Sequence, residues 1–229
     1  MKSITKSQLK ELEIFNNVLE SSLDELEEFG EIKKCKVGSH LFRDKENINT
    51  LYVVISGNVS LYKLNENGQK RVIFILGKGK VVNESMMDLP ASVNCEIFEE
   101  AQILSYDKNI FLSIMEKDFN LTKNVMYSLD MKVRRLYRQL KNSTGVLKME
   151  KKLAAKLWKL SKDYGVKCDS GVIINMNISV TYLADLLGSK RETISRSLKI
   201  LSNEKLIEYD NKKIKVIKQE KLSQFFKAP

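Results

Sequence analysis

The chain has 229 residues, 43% of them hydrophobic, with only two prolines and a net charge of +10. That describes a folded protein with room for two cores and excludes a disordered chain. No run of 18 apolar residues occurs, so no segment is expected to span a membrane. The charge is uneven: residues 1–120 carry 15 Lys+Arg against 19 Asp+Glu, net −4, and residues 121–229 carry 24 against 10, net +14.

The opening MKSITKSQLKELEIF lacks the apolar core of a signal peptide and reads as an amphipathic helix. Cys35, Cys95 and Cys168 are far apart and odd in number. They form neither a metal spacing nor a disulfide framework, which fits a reducing cytoplasm. Residues 3–29 are expected to be mostly helical, with Leu9, Leu12, Phe15, Leu23, Leu26 and Phe29 at turn-like intervals. From Ile32 the period changes. Val37–Phe42, Leu51–Ser56, Val59–Leu64, Val72–Leu76 and Ile103–Tyr106 read as short strands, separated by turns at Gly38, Ser56-Gly57-Asn58, Asn65–Gly68 and Gly77-Lys78-Gly79. Asn67-Gly68 is a hairpin signal, and many short antiparallel strands imply a small barrel or jelly roll.

Between about Asp118 and Lys148 runs one long helix, with no glycine before Gly145. Val125, Leu129, Val133, Leu136, Leu140 and Leu147 step mainly by three and four. Such a seam predicts a two-stranded coiled coil and a homodimer; the alternative is a helix packed on its own domain. Met149–Tyr164 is amphipathic, with Leu153, Leu157, Trp158 and Leu160 toward a core. Val172–Met176 reads as a strand, and Leu206–Tyr209 with Ile214–Ile217 flank Asp210-Asn211-Lys212-Lys213 as a hairpin wing. Lys212 and Lys213 at its tip are candidate phosphate contacts or plain turn lysines.

Ser179 to Leu201 reads as two short helices joined by a tight turn. Ser179 is placed to cap the first, on which Val180, Leu183, Ala184 and Leu187 recur, and Gly188 to end it. Ala184, Gly188 and Ile194 then have the spacing of a helix-turn-helix: a small crossing residue, a corner and an apolar filler. Arg191, Glu192 and Arg196 fall opposite the buried Ile194 and Leu198. Arg pairs with guanine O6 and N7, and Glu accepts from cytosine N4, so this face carries base-reading chemistry; the alternative is a solvated face. The basic excess lies in the same half of the chain, as DNA binding requires.

This order of parts resembles the Crp/Fnr family of bacterial transcription regulators over essentially the whole chain. GSKRETISRSLKIL is similar to that family's recognition helix with its R-E-T-x-x-R core. VGSHLF, LYVVISGNVSLY and VIFILGKG look like a cyclic-nucleotide-binding jelly roll. The resemblance implies that Arg191, Glu192 and Arg196 read bases while Lys190 and Thr181 or Ser179 hold phosphates. It also implies double-stranded DNA with a palindromic site, a second copy of the chain and RNA polymerase as partners. The expected architecture is α+β: a sensory jelly roll (1–117), a dimerisation helix (118–147) and a winged helix-turn-helix (148–229).

In the cyclic-AMP-binding members, a G-E-x-x-L cassette is followed by an Arg-Ser pair that neutralises the cyclic phosphate. Here Asn83 replaces the glycine, Glu84 remains, and no arginine follows through Tyr106. A buried phosphate would lack its charged partner, so an effector other than cyclic AMP is expected. Arg71, Phe74, Glu84, Met86, Tyr127, Arg134 and Tyr137 are the candidate effector pocket, suited to a carboxylate or phenol-like molecule. Alternatively, the barrel is a dimerisation scaffold that senses nothing. No metal or cofactor is expected. His40 is the one histidine, too few for a cupin-type metal centre built on several histidines and a carboxylate, and no triad, Walker loop or dinucleotide fingerprint points to an enzyme.

Overall fold

The computed structural model describes residues 2–83, 85–143 and 147–228, with the backbone alone at 2, 3 and 141–143. Contacts divide the chain into two units, Met1–Lys63 with Ile73–Thr144 and Leu64–Val72 with Gly145–Pro229.

The first unit opens with β1 (Lys2–Ser3), α1 (Lys6–Lys10), a 3-10 turn at Glu13–Phe15 and α2 (Glu20–Phe29). Thr5 caps α1 in a capping box with Gln8. Then come β2 (Glu31–Cys35), β3 (His40–Phe42), β4 (Thr50–Leu64), β5 (Lys70–Leu76) and β6 (Asn94–Asp107). The sheet runs β1-β2-β6-β4-β5, with β3 also paired to β6. Its mixed α+β content and jelly-roll strands agree with the architecture expected from the sequence. The two expected strands Leu51–Ser56 and Val59–Leu64 are one continuous β4, however. Ser56-Gly57-Asn58 is a bulge along its pairing with β6, where a turn was expected. Gly57 has φ 76°, and a Cβ there would run into the Glu100 carbonyl, so glycine serves a close strand approach. Asn67-Gly68 does close a turn: the Asn65 carbonyl accepts from the Gly68 amide and its side chain from those of Asn67 and Gln69.

Alternation along β4 and β6 separates two cores. Val54, Val59, Leu61, Cys95, Ile97, Ala101 and Ile103 line the inside of the roll together with Phe42, Phe74 and Val82. Leu51, Val53, Leu104 and Tyr106 face the helices, meeting Leu9, Phe15, Leu26 and Phe111.

The expected single helix from Asp118 is preceded by an unforeseen α3 (Lys108–Lys117). The main helix, α4, spans Phe119–Ser143, and Gly145 lies outside the described residues. Asp118 fixes where α4 begins. Its carboxylate accepts from the amides of Asn120 and Leu121 and, across the chain, from that of Leu19 at 2.7 Å. Asn124 adds bonds to the carbonyls of Ile14 and Asn16. Burial alone pushes the Asp118 carboxyl up, but these amides and the Ser22 side chain outweigh it and hold the carboxyl below its ordinary value. Asp118→Ala is therefore expected to cost roughly 3 kcal/mol of stability at neutral pH. The contribution is fully present above the ordinary carboxyl value and fades as pH falls through the depressed one. Urea unfolding followed by circular dichroism at pH 7 and in stronger acid should show the gap to wild type closing in acid. A gap independent of pH would remove the carboxylate from this account.

The seam on α4 also differs from its expected composition. Val125 is buried and faces the core. The exposed stripe is Phe119, Met126, Val133 and Leu140, spaced by seven, with Leu136 beside it and Leu129 partly buried.

The second unit begins with α5 (Met149–Asp163), followed by β7 (Gly165–Cys168), β8 (Gly171–Ile174), α6 (Val180–Leu187), α7 (Arg191–Asn203), β9 (Ile207–Asp210), β10 (Lys213–Val216) and α8 (Gln219–Lys227). Its sheet order is β7-β8-β10-β9. The hairpin of β9 and β10 is the expected wing, while β7 and α8 carry no strong local signal in the sequence. Leu153, Leu157, Ile174, Leu183, Ile194, Leu198, Leu201, Ile214 and Leu222 form the core of this unit. Trp158, expected to point into it, is half-buried and meets Phe226 of α8 edge-on at 6.0 Å.

Candidate nucleic-acid interface

The helix pair is built as its sequence dictates. The Ser179 hydroxyl accepts from the Tyr182 amide at 3.0 Å and caps α6. Gly188 ends that helix at φ 60° and ψ 49°, a left-handed conformation that costs glycine least. Ile194 is fully buried, and Ala184 lies in the same core. The inward face of α6 is set by Tyr182, Leu183 and Leu186; Val180 and Leu187, expected there, are half-buried.

On α7, Ile194, Ser197, Leu198 and Leu201 point inward. Arg191, Glu192 and Arg196 are all exposed, and so are Ser195 and Lys199. Two lines of polar side chains therefore run along the outer face, Arg191-Ser195-Lys199 and Glu192-Arg196. Lys190 is exposed at the N-cap of α7, where no side chain caps the free amides. Those amides and the helix dipole favour an anion at this end.

The other phosphate candidates lie at the start of α6 and on the wing. Thr181 is exposed and Ser179 half-exposed on the first turn of α6. Asn211 and Lys212 form the wing turn at φ 44° and 65°, with Lys212 and Lys213 exposed. The carbonyl of Lys212 accepts from the Ile178 amide at 2.8 Å, which ties the wing turn to the start of α6. Tyr209, which the sequence reading did not single out, lies among these parts. Burial raises its phenol, offset by the Val180 amide and by the positive charge of Arg191. An aromatic residue two positions before the wing turn was the available signal. The starts of α6 and α7 and the wing turn thus gather around Tyr209, with Lys190, Arg191, Lys212 and Lys213 exposed.

The candidate effector residues are more scattered. Phe74 lies inside the roll, with the Arg135 guanidinium 5.5 Å over its ring. Met86 belongs to the other core, against the helices. Tyr127, Arg134 and Tyr137 are exposed on α4, Arg71 is exposed on β5 and groups with the second unit, and Glu84 lies outside the described residues. His40 bonds through Nε2 to the Tyr62 hydroxyl at 2.9 Å. Among the described residues no set of three or more His, Cys, Asp or Glu is placed to hold a metal. Burial holds the Cys95 thiol well above its ordinary range, which makes it a poor nucleophile. No helix among the described residues is long and apolar enough to cross a membrane.

Residues 32–118 match the cyclic nucleotide-binding domain family, and residues 151–225 match the Crp-like helix-turn-helix domain family. Among curated proteins, the chain is 25% identical over 201 residues to the anaerobic regulatory protein of Bacillus subtilis, covering 85% of this chain and 83% of that one. It is 26% identical over 182 residues to the global nitrogen regulator of a Nostoc species, covering 77% and 80%. Among solved structures, a CooA variant from Carboxydothermus hydrogenoformans superposes with a TM-score of 0.74 at 20% identity, covering 88% and 89% of the two chains.

Proposed function

Because the chain belongs to the Crp/Fnr family of DNA-binding transcriptional regulators, we propose that it acts in the cytoplasm as a homodimer whose two α7 helices read a palindromic site. The observation that carries this reading is the exposed polar face of α7, with Arg191, Glu192 and Arg196 opposite the buried Ile194 and Leu198, beside a basic wing. Arg191 and Arg196 take guanine edges and Glu192 a cytosine amine, while Ser179, Thr181, Lys190, Lys212 and Lys213 hold phosphates. The heptad-spaced stripe on α4 supports dimerisation, and RNA polymerase is the partner through which such a dimer acts on transcription.

A small molecule bound to the jelly roll controls the dimer by preferring one arrangement of it. The molecule is not cyclic AMP, since no arginine stands between Val82 and Tyr106 to meet a cyclic phosphate. Nothing in this scheme calls for an enzymatic step.

Selection from random duplexes at fixed salt, followed by sequencing, tests the reading. The expected result is a two-fold symmetric site with half-sites about one helical turn apart. Enrichment of nothing by the full chain and by residues 147–229 alike would refute sequence-specific binding. Enrichment by the fragment alone would mean that the effector-free protein holds its helices out of register.

A further inference from the structure

Lys132 sits one residue before Val133 of the exposed α4 stripe, yet its side chain is turned away from that stripe and the residue is only 8% exposed. Its Nζ donates to the carbonyl of Asn83 at 2.6 Å and to that of Val82 at 3.3 Å. The ammonium is near enough to Cys95, inside the roll, to act on that thiol. Ordering a lysine and taking its charge out of water both cost free energy, so its placement on two successive carbonyls is a specific tie. Few other side chains would span the distance and still donate twice.

The other end of the same segment is held separately. Lys108, at the start of α3 and 5% exposed, donates to the Met87 carbonyl at 3.3 Å and to the Asp88 carboxylate at 2.7 Å. The Asn83 side chain accepts from the Tyr52 amide and donates to the Thr50 carbonyl, which fixes this end to β4. Val82 and Asn83 are thus held by β4 and α4, and Met87 and Asp88 by the start of α3.

We propose that Lys132 is a positioning residue through which the backbone at Val82 and Asn83 sets the placement of α4. A ligand that shifts the backbone at Val82 and Asn83 moves the two carbonyls that hold the ammonium. It thereby biases the helix turn that carries Val133. The consequence for DNA rests on the dimeric, sensory reading above; the tie between segment and helix does not.

Amide hydrogen exchange by mass spectrometry on the full chain, together with affinity for the selected duplex, tests this role. In Lys132→Met, exchange should quicken at least tenfold both around 82–86 and along the 128–140 stretch of α4, and affinity should change at least threefold. Lys132→Arg, whose guanidinium can donate to the same carbonyls, should return both towards wild type. Lys108→Met should loosen 87–88 while leaving α4 and DNA affinity unchanged. Should Lys132→Met fail to fold, the uncharged Lys132→Gln is read in its place.

The role is overturned if exchange along α4 stays at the wild-type rate, if affinity stays unchanged, or if the Lys108 and Lys132 variants behave alike. The exchange comparison needs neither dimer nor DNA. A wild-type chain that bound no duplex would therefore sink the regulator reading while leaving the coupling between segment and helix separately measurable.

Discussion

Replacing Val133 and Leu140 together by glutamate is expected to turn the protein into a monomer at micromolar concentration and to lower its affinity for a palindromic duplex by roughly 10²–10⁴-fold. Both side chains are exposed, at 45% and 65%, and lie seven residues apart on the line that also holds Phe119 and Met126. An apolar row of this length left in water is costly, and in the proposed dimer a second copy of the same row would cover it. Glutamates opposite one another across a two-fold axis repel and would have to be desolvated. The inward face of α4, with Leu121 and Val125, is untouched, so each protomer should keep its fold. The large loss at DNA arises because the second half-site contact, intramolecular in a dimer, becomes an independent binding event. Sedimentation with anisotropy on the same samples decides the matter. A double variant that sedimented as a dimer like wild type would take this stripe out of the proposed dimer contact, and a monomeric wild type would refute the dimer itself.

The second large effect concerns the reading face. Arg191→Ala is expected to cost about 1–3 kcal/mol of specific binding per recognition helix, and Arg196→Ala a similar amount. Because the two sites lie on the outer surface of α7, truncation leaves the core around Ile194 and Leu198 intact. The loss should fall on discrimination between cognate and scrambled duplexes. Lys212→Ala and Lys213→Ala should instead weaken both duplexes alike and reduce the salt dependence. If Arg191→Ala kept wild-type discrimination, base reading would have to move to other positions on the helix.

These two regions differ in how far the sequence alone exposed them. Ser179, Gly188, Ala184 and Ile194 stand where their spacing placed them, because capping, a left-handed helix end and a tight crossing are decided within a few residues. The wing was legible for the same reason, its turn needing residues that tolerate positive φ at Asn211 and Lys212. Ser56-Gly57-Asn58 misled because its composition is that of a turn, whereas the backbone of β6 presses against Gly57 and carries the strand through. Val125 sits at seam spacing but faces inward, since the 14–19 region bound by Asp118 and Asn124 fixes the rotation of α4. No local pattern reveals that rotation. Lys132 was hidden likewise: on paper it is a charge on an amphipathic helix, and only the path of residues 82 and 83 makes it a buried anchor. The effector candidates came from a family outline, and the fold puts Phe74 and Met86 in different cores, Tyr127, Arg134 and Tyr137 on an exposed helix face and Arg71 on β5, while Glu84 lies outside the described residues.

The chain contains a single tryptophan, and Trp158 packs against Phe226 with the Lys162 ammonium 5.7 Å above its ring. The protein therefore carries a built-in fluorophore in one unit only, at the seam between α5 and the final helix. Its emission tracks the undocking of α8, while the far-ultraviolet dichroism sums over both units. Melting curves recorded by the two signals on one sample thus compare the second unit with the whole chain. Superimposable curves would mean that the two units unfold as one cooperative body. Separated curves would assign each its own thermal limit without a label or a truncation.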